Sequence, residues 1–250
     1  MEFFNRIKTI LLNPKEEWEI IEAENEPHEK VLPYLLVIAL IPAAALFFNY
    51  WWHWNSSVSA AIQKVTDAAA LNSSGYMQER LQESIMRIKE SMPFNATIGI
   101  IPAVTSFAVI LLGVYVSALI INALSNQFGV EKNLNRTFSL VVYSYTPLCI
   151  AGLLYAFPSF SSLVPYIGLY GLYLLYTGIK PRINPPAEKF TGYLIMTLVV
   201  SVAAYLVIPK VIQPITNDIQ KNILIEQAKK RSKVNGHEID FRAFQQEIER

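Results

Sequence analysis

The sequence predicts an all-α, polytopic membrane protein with five transmembrane helices. Hydrophobic residues make up 52% of the 250 residues and charged residues only 16%, which is more apolar than an ordinary soluble domain. The 21 basic and 20 acidic residues all lie outside five long uncharged runs. Each run is close to the ~20 residues that a helix needs to cross ~30 Å of hydrocarbon. The runs are 31–52, 97–124, 138–157, 161–179 and 190–209.

These runs divide the chain into three parts. Residues 1–30 precede the membrane domain, residues 31–209 form it and include a predicted helical outer loop at 53–96, and residues 210–250 form a helical tail. Because both the loop and the tail emerge on the same side of five spans, we expect them to pack together as a small cap. Prolines inside four of the runs predict kinked spans: Pro42, Pro102, Pro147 and Pro165.

The basic residues of the short loops predict the orientation. The turn between the third and fourth spans has none, whereas the loops on the other side carry Lys132, Arg136, Lys180, Arg182 and Lys189. Because short basic loops stay in the cytoplasm, we expect a cytoplasmic N-terminus and a C-terminus outside. The N-terminus has no uninterrupted apolar core followed by a small-residue cleavage site, so we expect the first span itself to direct insertion.

Two short amphipathic helices are predicted before the first span. Apolar residues follow Phe3 at i+4, i+7 and i+8, which is one face of a helix. The next stretch, "NPKEEW", is typical of a helix start, with Asn13 as the cap and Pro14 at the first helical position. We expect both helices to lie in the headgroup layer, with three interfacial anchors: Phe3, Phe4 and Trp18. The alternative is a cytoplasmic helical hairpin that contacts no lipid.

Asp, Glu, Lys, Arg and His are absent from all five predicted spans. Proton- and sodium-coupled transporters, intramembrane metalloproteases and acid–base enzymes need such groups inside the bundle, so this absence argues against them. Cys149 is the only cysteine, and the three histidines, His28, His53 and His237, do not complete a metal site. We therefore expect no catalytic residue, no metal and no cofactor. A net charge of +1 spread over loops makes no basic face for nucleic acid.

The third and fourth spans contain the candidate polar site of the membrane domain. Pro147 lacks an N–H and displaces the carbonyl four residues earlier, that of Tyr143, which then needs a donor at mid-membrane. We expect a hydroxyl of Tyr170 or Tyr173 to supply it. Together with Tyr145, these residues form a predicted polar crevice at the kink. Kinked helix packing without any pocket explains the same residues equally well.

Glycines of the fourth span form a second predicted feature. Gly168, Gly171 and Gly178 fall on the side of this helix opposite its tyrosines. A stripe of glycines lets a neighbouring helix approach closely, which is a common packing device in bilayers. We expect this stripe to be a helix-packing surface.

Two segments resemble a known family. The stretch "LLNPKEEWEII" before the first span, and "YSYTPLCIAGLL" followed by a tyrosine-rich span ending "LYLLYTGIK", resemble the bacterial branch of the Yip (Ypt-interacting protein) family. The resemblance covers residues 3 to 208. It implies a five-span fold in the bacterial inner membrane with the N-terminus in the cytoplasm. Eukaryotic members bind prenylated Rab-type GTPases through longer N-terminal regions, which the short segment 1–30 lacks.

The function predicted from these features is that of a non-enzymatic membrane protein of the Yip type, which scaffolds partners or shapes the bilayer. The expected partners are the lipid bilayer and an unidentified membrane or envelope protein. The alternative is an uncoupled channel or carrier for a small or lipidic solute, with the tyrosine crevice as its path. The sequence leaves the partner, the solute and the oligomeric state open.

Overall fold

The computed structural model describes residues 2–24, 27–70, 83, 85, 86 and 96–235. Within these residues all regular structure is helical, so the predicted all-α class is confirmed. The α-helices are α1 (Glu2–Leu12), α2 (Pro14–Glu24), α3 (His28–Ala70), α4 (Ala96–Leu124), α5 (Leu134–Ser144), α6 (Thr146–Ala151), α7 (Val164–Gly168), α8 (Tyr170–Arg182) and α9 (Phe190–Asn235). Short 3₁₀ helices join several of them: Ser125–Phe128, Gly152–Ala156, Pro158–Leu163 and Ala187–Lys189.

Five helical segments are long and apolar enough to cross a membrane, as predicted. They are His28–Ala60, Ala96–Phe128, Leu134–Ala156, Pro158–Arg182 and Ala187–Ile223. The predicted runs fall at the same places, but the helices continue past the apolar residues at several ends. The continuation is longest in α3 and α9, which have 43 and 46 residues, because polar but helix-compatible sequence follows the span in each.

The spans run antiparallel, so the bundle has two distinct ends. At one end Arg136 Nη1 donates to the carbonyl oxygen of Arg182 at 3.5 Å, and we call this end the N-terminal face. At the other end Asn49 Nδ2 donates to the carbonyl oxygen of Tyr155 at 2.9 Å, and we call it the opposite face. The loop from the second to the third span reaches the N-terminal face through Gly129, whose φ of 72° requires a residue without a side chain.

The third span is the centre of the bundle. In its most apolar 18-residue stretch 78% of residues are buried, against 17% in the fifth span. Every residue from Thr137 to Ser144 is buried. The helix breaks at Tyr145, and α6 then begins with Pro147 in its first turn, where the missing N–H removes no helical hydrogen bond. Gly152 lets the first span approach, because a Cβ there would lie 2.5 Å from Pro42 Cβ.

A proline in the second span shows how a displaced carbonyl finds a donor. Pro102 lies inside α4 and leaves the carbonyl of Ile98 without its helical N–H. The side chain of Gln220 on α9 donates to this oxygen with an Nε2–O distance of 3.4 Å. The kind of pairing that the sequence predicted at Pro147 therefore occurs at Pro102, and it ties the tail of α9 to the start of α4.

The predicted cap formed by loop 53–96 and tail 210–250 falls largely outside the described residues. Within them, α3 continues to Ala70 and α9 to Asn235. Thr216 of α9 lies against Thr105 of α4, with 3.1 Å between the hydroxyl oxygens, so the first part of the tail packs on the second span.

Candidate functional site: the N-terminal hairpin

Helices α1 and α2 fold back on each other, and we call residues 2–24 the hairpin. The turn between them is tight, since the backbone N–H of Asn13 donates to the Thr9 oxygen at 2.7 Å and that of Glu17 to the Asn13 oxygen at 3.1 Å. Pro14 opens α2, as its sequence predicts. Apolar residues of both helices, Ile10 and Ile21 among them, belong to the main hydrophobic core. The hairpin is therefore part of the membrane bundle.

Trp18 is fully buried, so its predicted role as an interfacial anchor is wrong. A Cβ added at Gly178 would lie 2.6 Å from Trp18 Cε2, and the indole packs edge-on against the ring of Tyr143 with centroids 6.1 Å apart. The apolar edge of α2 is covered by spans three and four because these offer a groove floored by glycine. Phe3 packs on Tyr34 at 5.2 Å between ring centroids, whereas Phe4 points outward and is 76% exposed.

The tip of the hairpin meets the beginning of α8. The hydroxyl of Tyr170 donates to the carbonyl oxygen of Leu11 at 2.9 Å, which satisfies a free acceptor at the C-terminal end of α1. The prediction that Tyr170 would serve the carbonyl of Tyr143 is therefore wrong. Tyr173 stacks beside Tyr170 with ring centroids 5.4 Å apart and is partly exposed. The acceptor for Tyr170 is thus a carbonyl at the end of α1, a helix that the sequence predicted to lie in the headgroup layer.

A buried arginine joins the base of the hairpin to the fourth span. Arg182 is fully buried at the end of α8, where its charge also suits the helix dipole. Its Nη1 donates to Glu22 Oε2 at 2.7 Å and to the Ile21 carbonyl oxygen at 3.3 Å, and its Nη2 donates to Ser139 Oγ at 2.7 Å. The second oxygen of Glu22 pairs with Arg136 Nη2 at 2.6 Å. One carboxylate of α2 therefore bridges the third and fourth spans.

A second ion pair lies within the hairpin itself. Arg6 Nη1 donates to the buried Glu17 Oε1 at 2.6 Å, and Arg6 Nη2 pairs with Glu24. Burial lowers the pKa of Arg6, but the nearby oxygens of Tyr143, Glu24 and Glu17 raise it by more, so Arg6 stays charged. These groups border an open polar pocket of about 460 Å³ that also includes Lys30. The charged groups of the hairpin therefore meet Arg136 and Arg182 at the ends of the spans, just outside the uncharged runs.

The residues of the predicted tyrosine crevice do not lie together around one space. Tyr143 is buried between Trp18 and Tyr34, with 4.9 Å between the two tyrosine ring centroids. Tyr145 faces the other way, toward the second span, and its Oη would lie 3.1 Å from a Cβ at Gly113. A solute path from Tyr143 through Tyr170 is occupied by the hairpin.

The glycine stripe of the fourth span faces the third span. A Cβ at Gly168 would lie 2.7 Å from Leu148 Cδ1, and one at Gly171 would lie 2.4 Å from the carbonyl oxygen of Ser144. Gly178 contacts Leu140 as well as the indole of Trp18. Any larger residue at Gly171 would collide with backbone, which cannot move aside.

Sequence reasoning missed Arg6, Glu17, Glu22 and Arg182 as interacting residues, because it counted them only as loop charges. One signal could have found Glu22, since it lies at i+4 from Trp18 and so on the same helical face. In the described part of the chain no three His, Cys, Asp or Glu side chains come close enough to hold a metal ion. His28 instead lies 3.0 Å from the hydroxyl of Tyr115.

Polar residues line the contact between α4 and α9. Ser125 Oγ donates to the Ile121 carbonyl oxygen at 2.9 Å and lies 3.3 Å from the hydroxyl of Tyr193. One turn further along α9, Thr197 is fully buried and its hydroxyl has no hydrogen-bond partner within the described residues. A buried hydroxyl without a partner opposes folding, because it has lost its bonds to water.

Thr197→Val is therefore expected to raise the free energy of unfolding by up to about 1 kcal/mol, since it replaces the hydroxyl with a methyl group of similar shape. Ser125→Ala is expected to lower it by about 1 kcal/mol through loss of a bonded hydroxyl. Thermal unfolding of the two variants in the same detergent measures both effects. A lower midpoint for Thr197→Val than for the unmodified protein would contradict the assignment of its hydroxyl as unpartnered.

The fold thus consists of five antiparallel spans around a central third span, with an N-terminal hairpin docked on the third and fourth. The family model of the Yip1 domain matches residues 8–208. The chain belongs to the Yip1 family. Comparison with curated proteins and with solved structures gave no match. The Yip1 match begins within α1 and ends in α9, so it includes most of the hairpin as well as all five spans.

Membership of the Yip1 family agrees with the apolar helices in identifying an integral membrane protein. The five segments of sufficient length and hydropathy imply contact with the lipid bilayer along the bundle. Yip1 proteins form a non-enzymatic family of membrane proteins that interact with other proteins.

Proposed function

We propose that this Yip1-family protein shapes and organises the bilayer, with the hairpin acting as a wedge on one side of the membrane. The observation that carries the proposal is the position of the hairpin along the fourth span. Its base lies at Arg182 and its tip at Tyr170, so two extra helices widen the bundle over about 18 Å from the N-terminal face. This length is little more than half of a ~30 Å hydrocarbon core.

A bundle that is wider in one leaflet than in the other favours a curved membrane in which the wider leaflet is on the convex side. Among exposed charged residues that include Lys8 and Glu19, the outward side of the hairpin presents three exposed apolar side chains: Phe4 (76%), Leu12 (68%) and Ile20 (47%). Such side chains gain free energy by entering the acyl region, and amphipathic helices that insert in this way bind preferentially to curved membranes. Arginines pair with Glu17 and Glu22 of the hairpin, so these two carboxylates do not face lipid as unpaired charges.

The proposal places the hairpin in the cytoplasmic leaflet of a bacterial inner membrane and the end of α9 outside. The basic short loops at the N-terminal face support this orientation. The bundle would then act as a scaffold that concentrates an unidentified membrane or envelope protein at curved sites. The hairpin, packed on the Tyr143 side and bonded to Tyr170, argues against the predicted carrier path there.

A test is the distribution of the protein between flat membrane and a thin lipid tube pulled from a vesicle. With the hairpin leaflet on the convex side, the unmodified protein is expected to be enriched in the tube, and with the opposite orientation it is expected to be depleted. Replacing the three lipid-facing residues Phe4, Leu12 and Ile20 with serine is expected to remove at least half of the enrichment, since insertion of the hairpin depends on them.

The matched control makes the same kind of change at the opposite face, where Phe157, Phe160 and Leu163 are also exposed. Serine at these three positions is expected to leave the enrichment unchanged. Equal protein density on tube and vesicle for the unmodified chain, in both orientations, would overturn the wedge proposal.

A further inference from the structure

A cavity of about 580 Å³ lies between α3, α4 and α9, toward the opposite face of the bundle. Tyr145 and Leu148, at the break between α5 and α6, lie nearer mid-membrane, and we call this the deep end; Lys210 and neighbouring residues of α9 lie at the other end, which we call the mouth. Its volume falls in the range of roughly 300–1,000 Å³ that is usual for small-molecule sites. None of its lining residues belongs to the hairpin, so the cavity is independent of the proposed wedge.

Prolines and small residues explain why the spans do not close here. Pro42, Pro102 and Pro209 come from the three surrounding helices and all border the cavity. Helices bend at internal prolines, and bent helices cannot remain in contact along their whole length. Gly113 and Ala204 add little volume where the side chains of longer residues would fill the gap.

The cavity changes character from its deep end to its mouth. Away from the mouth most lining residues are apolar, and the polar atoms there are hydroxyls of residues such as Ser106, Tyr145 and Tyr205, whereas amide and ammonium groups of α9 line the mouth. Lys210, Gln213, Asn217 and Gln220 recur at i, i+3, i+7 and i+10, which places them along one face of the helix. A ligand that fits both parts has a polar head and an apolar body.

The charge at the mouth is positive. Lys210 is exposed and has no carboxylate partner among the described residues. Among the described residues, the cavity lining includes no aspartate or glutamate. The amide groups of Gln213 and Asn217 add hydrogen-bond donors beside this ammonium group, and such a group of donors suits phosphate oxygens.

A second, smaller cavity extends the apolar space. It has a volume of about 240 Å³ between the third, fourth and fifth spans and shares Tyr145, Leu148, Tyr205 and Leu206 with the first. Its lining is almost entirely apolar, and it also contains the buried Ser201, whose hydroxyl has no partner within the described part of the chain. The two cavities adjoin at the break between α5 and α6.

We infer that the cavity is a binding site for an anionic phospholipid of the surrounding bilayer. The phosphate lies at Lys210 and Gln213, and one acyl chain follows the apolar walls toward Leu148 and the second cavity. A soluble anion would leave these walls in contact with water, whereas an acyl chain buries apolar surface against them. This is a lipid-binding role separate from the general lipid contact of the spans.

The inference is tested with the full-length protein in neutral nanodiscs, using phosphatidylglycerol and phosphatidylcholine probes that carry the same photoreactive group on an acyl chain. Phosphatidylglycerol is expected to label peptides that contain Leu148 or Ala204 about fivefold more strongly, since one lysine near a membrane surface contributes about this factor. Lys210→Gln is expected to remove this preference. Lys180→Gln, at the exposed end of α8, is expected to keep it.

A matched pair of alanines tests the cavity itself. Ala204 is buried and lines the cavity, whereas its neighbour Ala203 is exposed. Ala204→Phe is expected to abolish labelling of the cavity peptides, and Ala203→Phe to leave it intact. Undiminished labelling of a monodisperse Ala204→Phe protein would overturn the site. Equal labelling by both probes, or a preference that survives Lys210→Gln, would show that the site does not select an anionic headgroup. The Lys210→Gln experiment remains decisive even if the Ala204→Phe protein does not fold.

Discussion

Replacing Glu22 with glutamine is expected to lower the free energy of unfolding by about 2–3 kcal/mol. Arg182 is fully buried, and Glu22 is its carboxylate partner. Loss of that partner leaves an uncompensated charge in the bundle. Removing one partner of a fully buried ion pair usually lowers the free energy of unfolding by about 3–5 kcal/mol. We expect the lower figure because Glu22 is partly exposed and glutamine keeps one acceptor oxygen.

Glu19→Gln is the matched control, since Glu19 lies on the same helix with an exposed side chain. Its effect is expected to stay within about 0.5 kcal/mol. The double variant Glu22→Gln/Arg182→Met is expected to lose less stability than the two single changes added together, because no charge then remains buried without a partner. Denaturant unfolding in one detergent measures the unmodified protein and the four variants, Arg182→Met among them. Additive losses would show that Glu22 and Arg182 do not interact.

Trp18→Ala is expected to be the most damaging single substitution in the hairpin, with a loss of about 3–5 kcal/mol. The indole is fully buried and fills the space above Gly178, so truncation leaves a cavity between α2 and the two spans. Limited proteolysis of residues 2–24 measures the consequence directly, because the hairpin is expected to detach before the spans unfold. Trp18→Phe keeps most of the apolar contact and is expected to cost less than half as much.

Trp52→Ala provides the comparison for an exposed tryptophan, since Trp52 of α3 is 55% exposed. Its effect on the free energy of unfolding is expected to stay below about 1 kcal/mol. If Trp18→Ala and Trp52→Ala cause equal losses, or if proteolysis of the hairpin does not accelerate in Trp18→Ala, then the hairpin is not held by the Trp18 contact.

The five spans could be predicted because their signal is local. Twenty uncharged residues in a row have one structural solution in a bilayer, and the 31–52 and 190–209 runs needed no information from elsewhere in the chain. The same logic predicted the helix start at Pro14. It could not show that α3 and α9 continue far beyond the apolar residues, because polar helical sequence carries no sharp end signal.

The hairpin could not be placed because its signal is ambiguous. An apolar face such as that of Trp18 and Ile21 can be buried equally well by lipid and by protein, and contact with lipid was the prediction. The deciding partners, Gly178 and Arg182, lie far away in the sequence. Only the tertiary structure brings Gly178 next to Trp18 and Arg182 next to Glu22.

The carbonyl displaced by Pro102 was also only partly predictable from the sequence. The sequence correctly indicated that an internal proline needs a donor for the carbonyl four residues before it. It did not indicate which side chain would donate, because Gln220 reaches Ile98 across a contact between two spans. Polar residues beyond the end of a span are therefore part of the membrane domain's own hydrogen bonding.

The hairpin also has a consequence for how the chain is made. Glu22 and Arg182 are separated by 160 residues. The hairpin therefore leaves the ribosome before the fourth span, which completes its docking groove. At a synthesis rate of roughly 5–20 residues per second, this interval lasts about 8–32 s. For that time the Trp18 face has no groove to cover it, and the nascent hairpin must wait at the membrane surface or under a chaperone. The final packing of the first 24 residues is thus one of the last steps of biogenesis.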